Sequence, residues 1–213
     1  MTLYVPSHFR VEDRRELVDF MERHAFATLV SSGPGGLQAS HIPFLVEAGG
    51  GGDVRLLGHF ARANPHGPAL LEAGHVMAIF QGPHAYVSPG WYENHPAVPT
   101  WNYAVVHAHG KARAIDEGEL RALLARLSAK YESGRTAPWR MEDLAEDYVA
   151  KMVAAVRGFA IDVERIEGKF KLSQNRPGRD AERVAAALQG EGEAELARLM
   201  REHPAPTKGK IPS

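Results

Sequence analysis

Cysteine is absent from this sequence of 213 residues, and that absence excludes several kinds of site. Without thiols the chain cannot form disulfide bonds, iron–sulfur clusters or zinc sites with thiolate ligands. Long apolar runs are absent as well: no segment approaches the roughly 18 consecutive apolar residues that a membrane-spanning helix needs. The first residues, MTLYVPSHFRVEDRREL, lack the apolar segment of a signal peptide. The sequence therefore predicts a cytoplasmic protein.

An excess of basic charge is also missing. The 25 lysines and arginines are balanced by 26 acidic residues, which gives a formal net charge of −1. A broad nucleic-acid-binding surface is therefore not predicted, although a compact basic patch stays open. The Gly-x-Ser-x-Gly motif and the dinucleotide fingerprint do not occur, and the glycine-rich stretch 48–53 has no Lys-Ser/Thr after it to make a phosphate loop. Composition and motifs leave open whether the protein is an enzyme.

What the sequence does contain is the pattern of an ordinary globular protein, with 44% hydrophobic and 24% charged residues. Runs of strand length alternate with segments of helical periodicity. This pattern predicts helices at 11–25, 65–73, 117–132, 142–156, 181–188 and 193–202, and strands at 26–31, 37–46, 54–59, 76–80, 85–87, 101–115 and 158–166. Because most strands follow one another through turns, we expect an α+β protein built on an antiparallel barrel.

Face patterns within these segments give further expectations. In helix 142–156 the inward residues are predicted to be Leu144, Tyr148, Val149 and Met152. Strand 101–115 has one face of small residues, which suits a barrel interior or a tightly packed partner: Ala104, Val106, Ala108, Gly110 and Ala112.

Histidines on the predicted strands raise the question of a metal site. His107 and His109 share one face of strand 101–115 and could chelate a metal, but they have no acidic partner and no known ligand spacing. We therefore predict no metal site.

Residues 54–82 read as a strand, an anion-binding turn, a short helix and a second strand. Asn64 is a good N-cap and Pro65 suits the first helical position. The free N–H groups and the dipole of the helix would face any anion bound there. Arg62 adds a guanidinium fork that matches a phosphate. The alternative is a capped helix with an arginine on its surface.

A second polar segment, GKFKLSQN at 168–175, follows strand 158–166 and is predicted to be a loop. It combines two lysines, an amide pair and a hydroxyl, which could contact an anion or a cofactor. The alternative interpretation is a solvated basic turn.

Taken together, several stretches identify a family resemblance. They are MTLYVPSHF, FATLVSS, ASHIPFLV, GHFARANPH, IFQGPHAYVSPGWY, VPTWNYAVVHAHGKAR and IEGKFKLSQNRP. The chain resembles the PaiB family of FMN-binding negative transcriptional regulators, which have a split-barrel flavin-binding fold similar to that of pyridoxamine-phosphate-oxidase-like proteins. The resemblance implies an FMN-binding split β-barrel, antiparallel and Greek-key-like with peripheral helices, over 1–178. The helical pattern adds inserted helices at 117–156 and a C-terminal helical appendage at 179–203, and the last residues, 204–213, are predicted to be a flexible tail.

The resemblance further implies a homodimer whose flavin sites lie at the subunit interface. In that fold the flavin phosphate is held by the strand and turn after the second hairpin, and other contacts come from a neighbouring strand, from the end of the next strand and from the partner subunit. Carried over to this sequence, the expected FMN contacts from one subunit are Ser40, His41, Gly58, His59, Arg62, Asn64 and Gln81. Those expected from its partner are Trp101, Asn102, Lys169, Lys171, Ser173 and Gln174. A lysine near the flavin, Lys169 or Lys171, would favour an anionic reduced ring.

Three functional hypotheses follow from the resemblance. The first is an FMN-binding protein with a negative role in transcription, exerted without a standard DNA-recognition helix, because the charge pattern gives little support for DNA contact. The second is a flavin-dependent oxidoreductase acting on a small molecule, since fold does not fix function. The third is a haem-binding or haem-degrading split-barrel protein. No catalytic residue is assigned.

Overall fold

The computed structural model describes residues 3–33, 35–50 and 52–205. Most of the predicted tail 204–213 therefore lies outside the described residues. In the described part the six α-helices are α1 Arg14–Arg23, α2 His66–Glu72, α3 Glu117–Glu132, α4 Glu146–Ala154, α5 Gly178–Gly190 and α6 Ala194–Glu202. Short 3₁₀ turns lie at Ser7–Phe9, Pro89–Trp91 and Met141–Asp143.

Eight strands complete the fold: β1 Arg10–Val11, β2 Phe26–Gly33, β3 Gly36–Pro43, β4 Leu45–Ala48, β5 Val54–Ala61, β6 Val76–Val87, β7 Thr100–Ala114 and β8 Val156–Lys171. They form one sheet in the order β3-β2-β6-β7-β8-β5-β4, with β1 on β8. The strand pairs β1–β8, β2–β3, β2–β6, β4–β5 and β5–β8 are antiparallel. The predicted α+β class with a mainly antiparallel sheet is confirmed.

The chain divides into two compact units. Unit 1 comprises Met1–Leu17, Gln81–Val106 and Glu167–Ser213, and unit 2 comprises Val18–Phe80 and His107–Ile166. The long strands β6, β7 and β8 each continue from one unit into the other. The domain boundaries expected at residues 178 and 203 stay predictions.

Several predicted strand boundaries were wrong. The strands predicted at 76–80 and 85–87 are one strand, β6 Val76–Val87, and contacts distant in sequence decide two other boundaries. The single strand predicted at 37–46 is broken at Phe44, whose N–H donates to the carbonyl of Ala25 at 2.9 Å. Strand β8 runs on to Lys171 because β1 pairs with it, with Arg10 opposite Lys169. The segment 168–171 is therefore strand and not loop, and α1 begins at Arg14 because Val11 belongs to β1.

Helix α3 matches its predicted bounds. Asp116 Oδ1 accepts a hydrogen bond from the N–H of Glu119 at 2.8 Å, which is the expected N-cap. Leucines at helical spacing form its buried face. Leu123 and Leu127 pack against the sheet residues Leu45, Leu57 and Ala160.

Helix α4 is shorter than predicted and is rotated relative to the expected face. It begins at Glu146, and its buried residues are Val149 and Val153. These two are four positions apart and therefore define one face. Tyr148 and Met152 precede them by one residue each, and about half of each side chain is exposed. Their predicted inward orientation was wrong.

The small face of strand β7 is confirmed at its centre. Ala104, Val106 and Ala108 are fully buried. A Cβ added at Gly110 would lie only 2.1 Å from the backbone oxygen of Asp162 on β8. Glycine therefore permits close packing of the two strands at this position.

We predict that Gly110→Ala lowers the free energy of unfolding by about 1–3 kcal/mol, because the added methyl group forces the backbone of β8 to move. Urea denaturation monitored by circular dichroism measures this. Gly190→Ala is the matched control: no atom lies within 4 Å of its added Cβ, so its effect should stay within about 1 kcal/mol. Equal stability of Gly110→Ala and wild type would contradict the packing argument.

Candidate functional site

Within unit 2, the turn after β5 leads into α2 through Asn64. Its side-chain Oδ1 accepts a hydrogen bond from the N–H of His66 at 2.9 Å. Asn64 thus satisfies one of the free donors at the start of the helix, as expected of a capping side chain. The helix begins at His66, one residue later than predicted, with Pro65 in the flanking position.

The side chain of His66 is buried and joins α2 to two strands. Its Nε2 lies 2.9 Å from Ser31 Oγ on β2, and its Nδ1 lies 2.8 Å from Ser40 Oγ on β3. The ring also packs against Phe60, with 5.3 Å between ring centroids. His66 therefore brings two of the predicted contacts, Ser40 and Asn64, to the same place.

Sequence reasoning missed His66. Strand β2 contains the pattern that could have pointed to it. Ala27, Leu29 and Ser31 occupy every second position, so they share one face of the strand, and all three are buried. A buried hydroxyl needs a hydrogen-bond partner. That requirement predicts a polar partner for Ser31 without identifying it, because the partner comes from a distant part of the chain.

Other residues of the predicted phosphate turn have different surroundings. Arg62 is exposed, and its guanidinium donates hydrogen bonds to the carbonyls of Ala154 at 2.6 Å and Val156 at 3.2 Å. Its side chain therefore joins the turn to the end of α4. A Cβ at Gly58 would lie 2.7 Å from the ring of Phe159, so this glycine makes room for a core aromatic.

The two predicted strand histidines lie on β3 and β5. His41 is exposed and alternates with Ser40 along β3. His59 alternates with the core residue Phe60 and so points to the opposite face of β5. Its Nδ1 is buried and, among the described residues, has no hydrogen-bond partner. This ring nitrogen could therefore form a hydrogen bond with a ligand atom, because buried polar atoms normally have a hydrogen-bond partner.

Unit 1 contains a groove of about 480 Å³ on strands β6 and β7. This volume lies within the range of small-molecule sites. Two predicted contacts line it, Gln81 and Trp101. The remaining lining residues are His84, Tyr103, Ala104 and Val105. More than half of the Trp101 side chain is exposed, and Tyr86 meets it edge to face with 6.1 Å between centroids. The groove thus offers aromatic surface with one amide at its edge.

Two lysines lie beside this groove. Lys169 Nζ lies 5.4 Å from the ring centres of both Tyr4 and Tyr103, which is a cation–π geometry on each side. Lys171 Nζ donates hydrogen bonds to Thr100 Oγ1 at 2.7 Å and to the carbonyl of Trp101. Burial, with the nearby charges of Lys169 and Arg176, lowers the pKa of Lys171. The positive charge at the side of the groove is therefore that of Lys169, held over the ring of Tyr103.

The side chains of the remaining predicted contacts form hydrogen bonds with other residues of unit 1. Asn102 is fully buried, and its Nδ2 donates to Ser173 Oγ at 3.0 Å and to Met200 Sδ at 3.4 Å. Gln174 Oε1 accepts from the N–H of Leu172 at 2.7 Å, and its Nε2 donates to the carbonyl of Phe170 at 2.7 Å. These side chains support the backbone around the end of β8, and their assignment to the cofactor stays a prediction.

A larger cavity of about 840 Å³ lies in unit 2 beside β4 and β5. Its charged groups largely pair with one another: Arg55 Nη2 lies 2.7 Å from Glu47 Oε2, and Arg126 binds the other oxygen of the same carboxylate. Burial raises the pKa of Glu47, but the hydrogen bonds from Arg126 and Arg55 outweigh it and lower the pKa overall. Sequence reasoning did not single out this cavity.

Two further findings concern the described residues. They contain no group of three or more histidine or acidic side chains that could hold a metal ion. None of their helices combines the length and the apolar character needed to cross a bilayer.

Comparison with known proteins places this sheet in a fold class. Solved structures of similar fold include the FAD and heme binding protein from Mycobacterium smegmatis, with a TM-score of 0.58 and 21% identity over 76% of this chain and 73% of that one. Another is the flavocytochrome Anf3 from Azotobacter vinelandii, with a TM-score of 0.60 and 18% identity over 78% and 72%. The fold is therefore the flavin-binding split barrel.

The family follows from the sequence matches. Residues 3–165 match the family described as "Putative FMN-binding domain", and the chain belongs to that family. The Bacillus subtilis protein named "Protease synthase and sporulation protein PAI 2" is 35% identical over 89% of this chain and 90% of its own length. An uncharacterized protein of Emericella nidulans is 32% identical over 73% of this chain and 76% of its own. The expected membership of the PaiB family is confirmed.

We predict that acid lowers the stability of the fold through its buried histidines. Burial lowers the pKa values of His66 and His59 below the ordinary value. The unfolded chain therefore binds more protons below a pH of about 6.5, and stability falls there by up to about 1.4 kcal/mol per pH unit for each histidine. Above that pH the contribution is fully present. Urea midpoints between pH 7.5 and about 5 measure the loss.

The variant His66→Asn should flatten this pH dependence because it removes one of the two groups. Ser32→Ala is the control, since Ser32 is exposed and its replacement removes no titratable group, so the slope should stay unchanged. An unchanged slope in His66→Asn would contradict the prediction.

Proposed function

We propose that this protein binds flavin mononucleotide as a homodimer and that the bound flavin serves a regulatory role. The observation that carries the proposal is the groove of unit 1, an aromatic slot whose edge holds the two predicted ring contacts Gln81 and Trp101. When bound, the flavin would supply one- and two-electron redox chemistry. The protein's own contribution would be binding, orientation and charge.

The groove suits the flat ring of a flavin. Trp101 and Tyr103 offer aromatic faces, and such faces stack favourably on flat heterocycles. The amide of Gln81 can donate and accept at a ring edge that carries both kinds of group. It now contacts His84, with 3.3 Å between Nε2 and Nδ1, and both side chains line the groove.

Charge beside the groove supports an anionic ligand. Lys169 Nζ rests between the rings of Tyr4 and Tyr103, and within the described part of the chain no carboxylate lies within ion-pair distance of it. Its charge is therefore available to a ligand. A fixed cation near the ring would stabilise the anionic reduced form, and one near the phosphate would favour FMN over riboflavin.

Unit 2, taken by itself, contains its own set of candidate contacts. Ser40 and Asn64 meet at His66, and His59 retains a buried nitrogen without a partner among the described residues. Arg62, the predicted phosphate contact, donates two hydrogen bonds to backbone carbonyls. The guanidinium has further N–H donors and Arg62 is exposed, so a phosphate contact there would be additional to the contact with α4.

A regulatory role is supported by the family resemblance and by the name of the Bacillus subtilis relative, which calls it a protease synthase and sporulation protein. Direct DNA binding finds little support in the charge balance, since the formal net charge is −1. We therefore propose that regulation acts through the state of the flavin or through a partner protein. A gel shift with the protein's own upstream DNA at physiological salt tests this, and a tight specific complex would contradict it.

Haem is the second candidate ligand, because the groove also contains an imidazole, that of His84, which could ligate iron. The two ligands differ in their visible spectra. A Soret band on titration with haemin, without flavin binding, would favour this candidate over the first.

We predict that Trp101→Ala weakens FMN binding by about 1–3 kcal/mol, or roughly 5- to 150-fold, because one stacking face of the groove is lost. Quenching of flavin fluorescence on titration measures the affinity. Trp139→Ala is the matched control, since Trp139 is similarly exposed but lies in unit 2 on the α3–α4 connection. Equal losses in both variants, or none in Trp101→Ala, would contradict the placement of the ring.

We predict a dimer of twice the 23.3 kDa chain mass. Unit 1 exposes large apolar side chains, among them Tyr86, Val98 and Trp101, and an obligate dimer would cover such residues while burying over about 2,000 Å². Light scattering at micromolar concentration measures the mass. Tyr86→Glu should shift it toward the monomer, whereas Tyr148→Glu, on α4 of unit 2, should not. A monomeric wild type would contradict the proposed assembly.

A further inference from the structure

We propose that His66 is a positioning residue that turns the hydroxyl proton of Ser40 outward, so that Ser40 donates a hydrogen bond to an anionic oxygen of the bound ligand. This inference rests on the proposed flavin function, because it names what one of the expected contacts does. It depends on three hydrogen bonds of His66: with Ser31, with Ser40 and with Asn64.

A neutral imidazole has one N–H donor and one nitrogen acceptor. His66 has a hydroxyl at each nitrogen, Ser31 Oγ at 2.9 Å from Nε2 and Ser40 Oγ at 2.8 Å from Nδ1. One serine must therefore donate its proton to the ring, while the other receives a proton from it. The serine that receives keeps its own hydroxyl proton for a different acceptor.

Burial decides which serine donates. Ser31 is only 3% exposed, and in the described part of the chain its hydroxyl has no other acceptor than His66 Nε2. A buried hydroxyl proton without an acceptor is costly. Ser31 therefore donates to Nε2, and the ring proton lies on Nδ1. That proton is donated to Ser40 Oγ.

Ser40 is left with a hydroxyl proton that His66 cannot accept. Its side chain is only partly buried, so the proton can reach an acceptor outside the protein. The ring that fixes this direction is itself held in place, because Asn64 Oδ1 binds the N–H of His66 and Phe60 packs against the imidazole. The arrangement presents one directed donor.

The opposite tautomer would give Ser40 a different role. With the proton on Nε2, Ser40 would donate to Nδ1, and the histidine would act as a base toward a serine nucleophile. The two tautomers therefore separate a ligand-binding serine from a reactive one. The buried hydroxyl of Ser31 favours the first.

Nitrogen-15 NMR of the histidine side chains in the wild-type protein tests the tautomer directly. Comparison with the spectrum of His66→Asn assigns the resonance among the 11 histidines. The proposal requires a proton on Nδ1 at neutral pH. A proton on Nε2, or labelling of Ser40 by a fluorophosphonate reagent, would overturn it.

FMN titration of three serine variants tests the consequence for binding. Ser40→Ala should weaken FMN binding roughly 10- to 150-fold, as expected for a hydrogen bond to a charged group. Ser31→Ala changes no residue that contacts the ligand, but it removes the hydroxyl that fixes the tautomer of His66. It should therefore weaken FMN binding roughly 2- to 13-fold and produce mixed tautomers in the NMR spectrum. Ser32→Ala, an exposed neighbour on β2, should change neither quantity.

Riboflavin distinguishes the possible anionic oxygens. If Ser40→Ala weakens FMN but not riboflavin, the acceptor is the phosphate; if it weakens both, the acceptor is on the part that both ligands share. Equal affinities of wild type and Ser40→Ala for both ligands would overturn the proposal. If the wild type binds no FMN, the proposed function fails and the ligand role of Ser40 with it, while the NMR result still decides the tautomer.

Discussion

Leaving a ring nitrogen of a buried imidazole without a partner costs stability, and at His66 both nitrogens have one, Ser31 on β2 and Ser40 on β3. The constraint fixes more than one side chain. It holds the first residue of α2 against two neighbouring strands. Asn64, in the preceding turn, caps the same helix by accepting a hydrogen bond from the N–H of His66. Removing any member would leave a buried polar group unsatisfied, at a cost of about 1–3 kcal/mol. The binding proposed for Ser40 would thus depend on a hydrogen-bond bridge that also supports the fold of unit 2.

Elements governed by neighbouring residues could be predicted from the sequence. Helix α3 has its predicted bounds because both its cap, Asp116, and its leucine spacing are local. Elements governed by distant contacts could not. The break at Phe44 depends on a hydrogen bond to Ala25, and the last residues of β8 are strand because Arg10 pairs with Lys169. In α4 the valines, and not the larger Tyr148 and Met152, face inward, which periodicity alone could not distinguish.

The candidate site likewise contains residues that the sequence identified and one that it missed. Family resemblance identified Gln81 and Trp101, which share a groove, and Lys169, whose ammonium lies over the ring of Tyr103 in that groove. It did not identify His66, because the partners that give this histidine its role come from other strands. It also assigned Asn102, whose side chain bonds to Ser173 and Met200 inside unit 1. Residue type and motif therefore suggested the segments of the candidate site, while the hydrogen-bond partners of each polar group could be read only from the packed structure.

The central claim is that the chain binds FMN, and equilibrium dialysis of the purified protein against FMN and against riboflavin tests it most directly. The account predicts that FMN is retained at one flavin per chain and is held more tightly than riboflavin, because aromatic surface meets the ring while fixed donors and a lysine meet the anionic oxygens. Retention of neither flavin above the level of a control protein would contradict the claim.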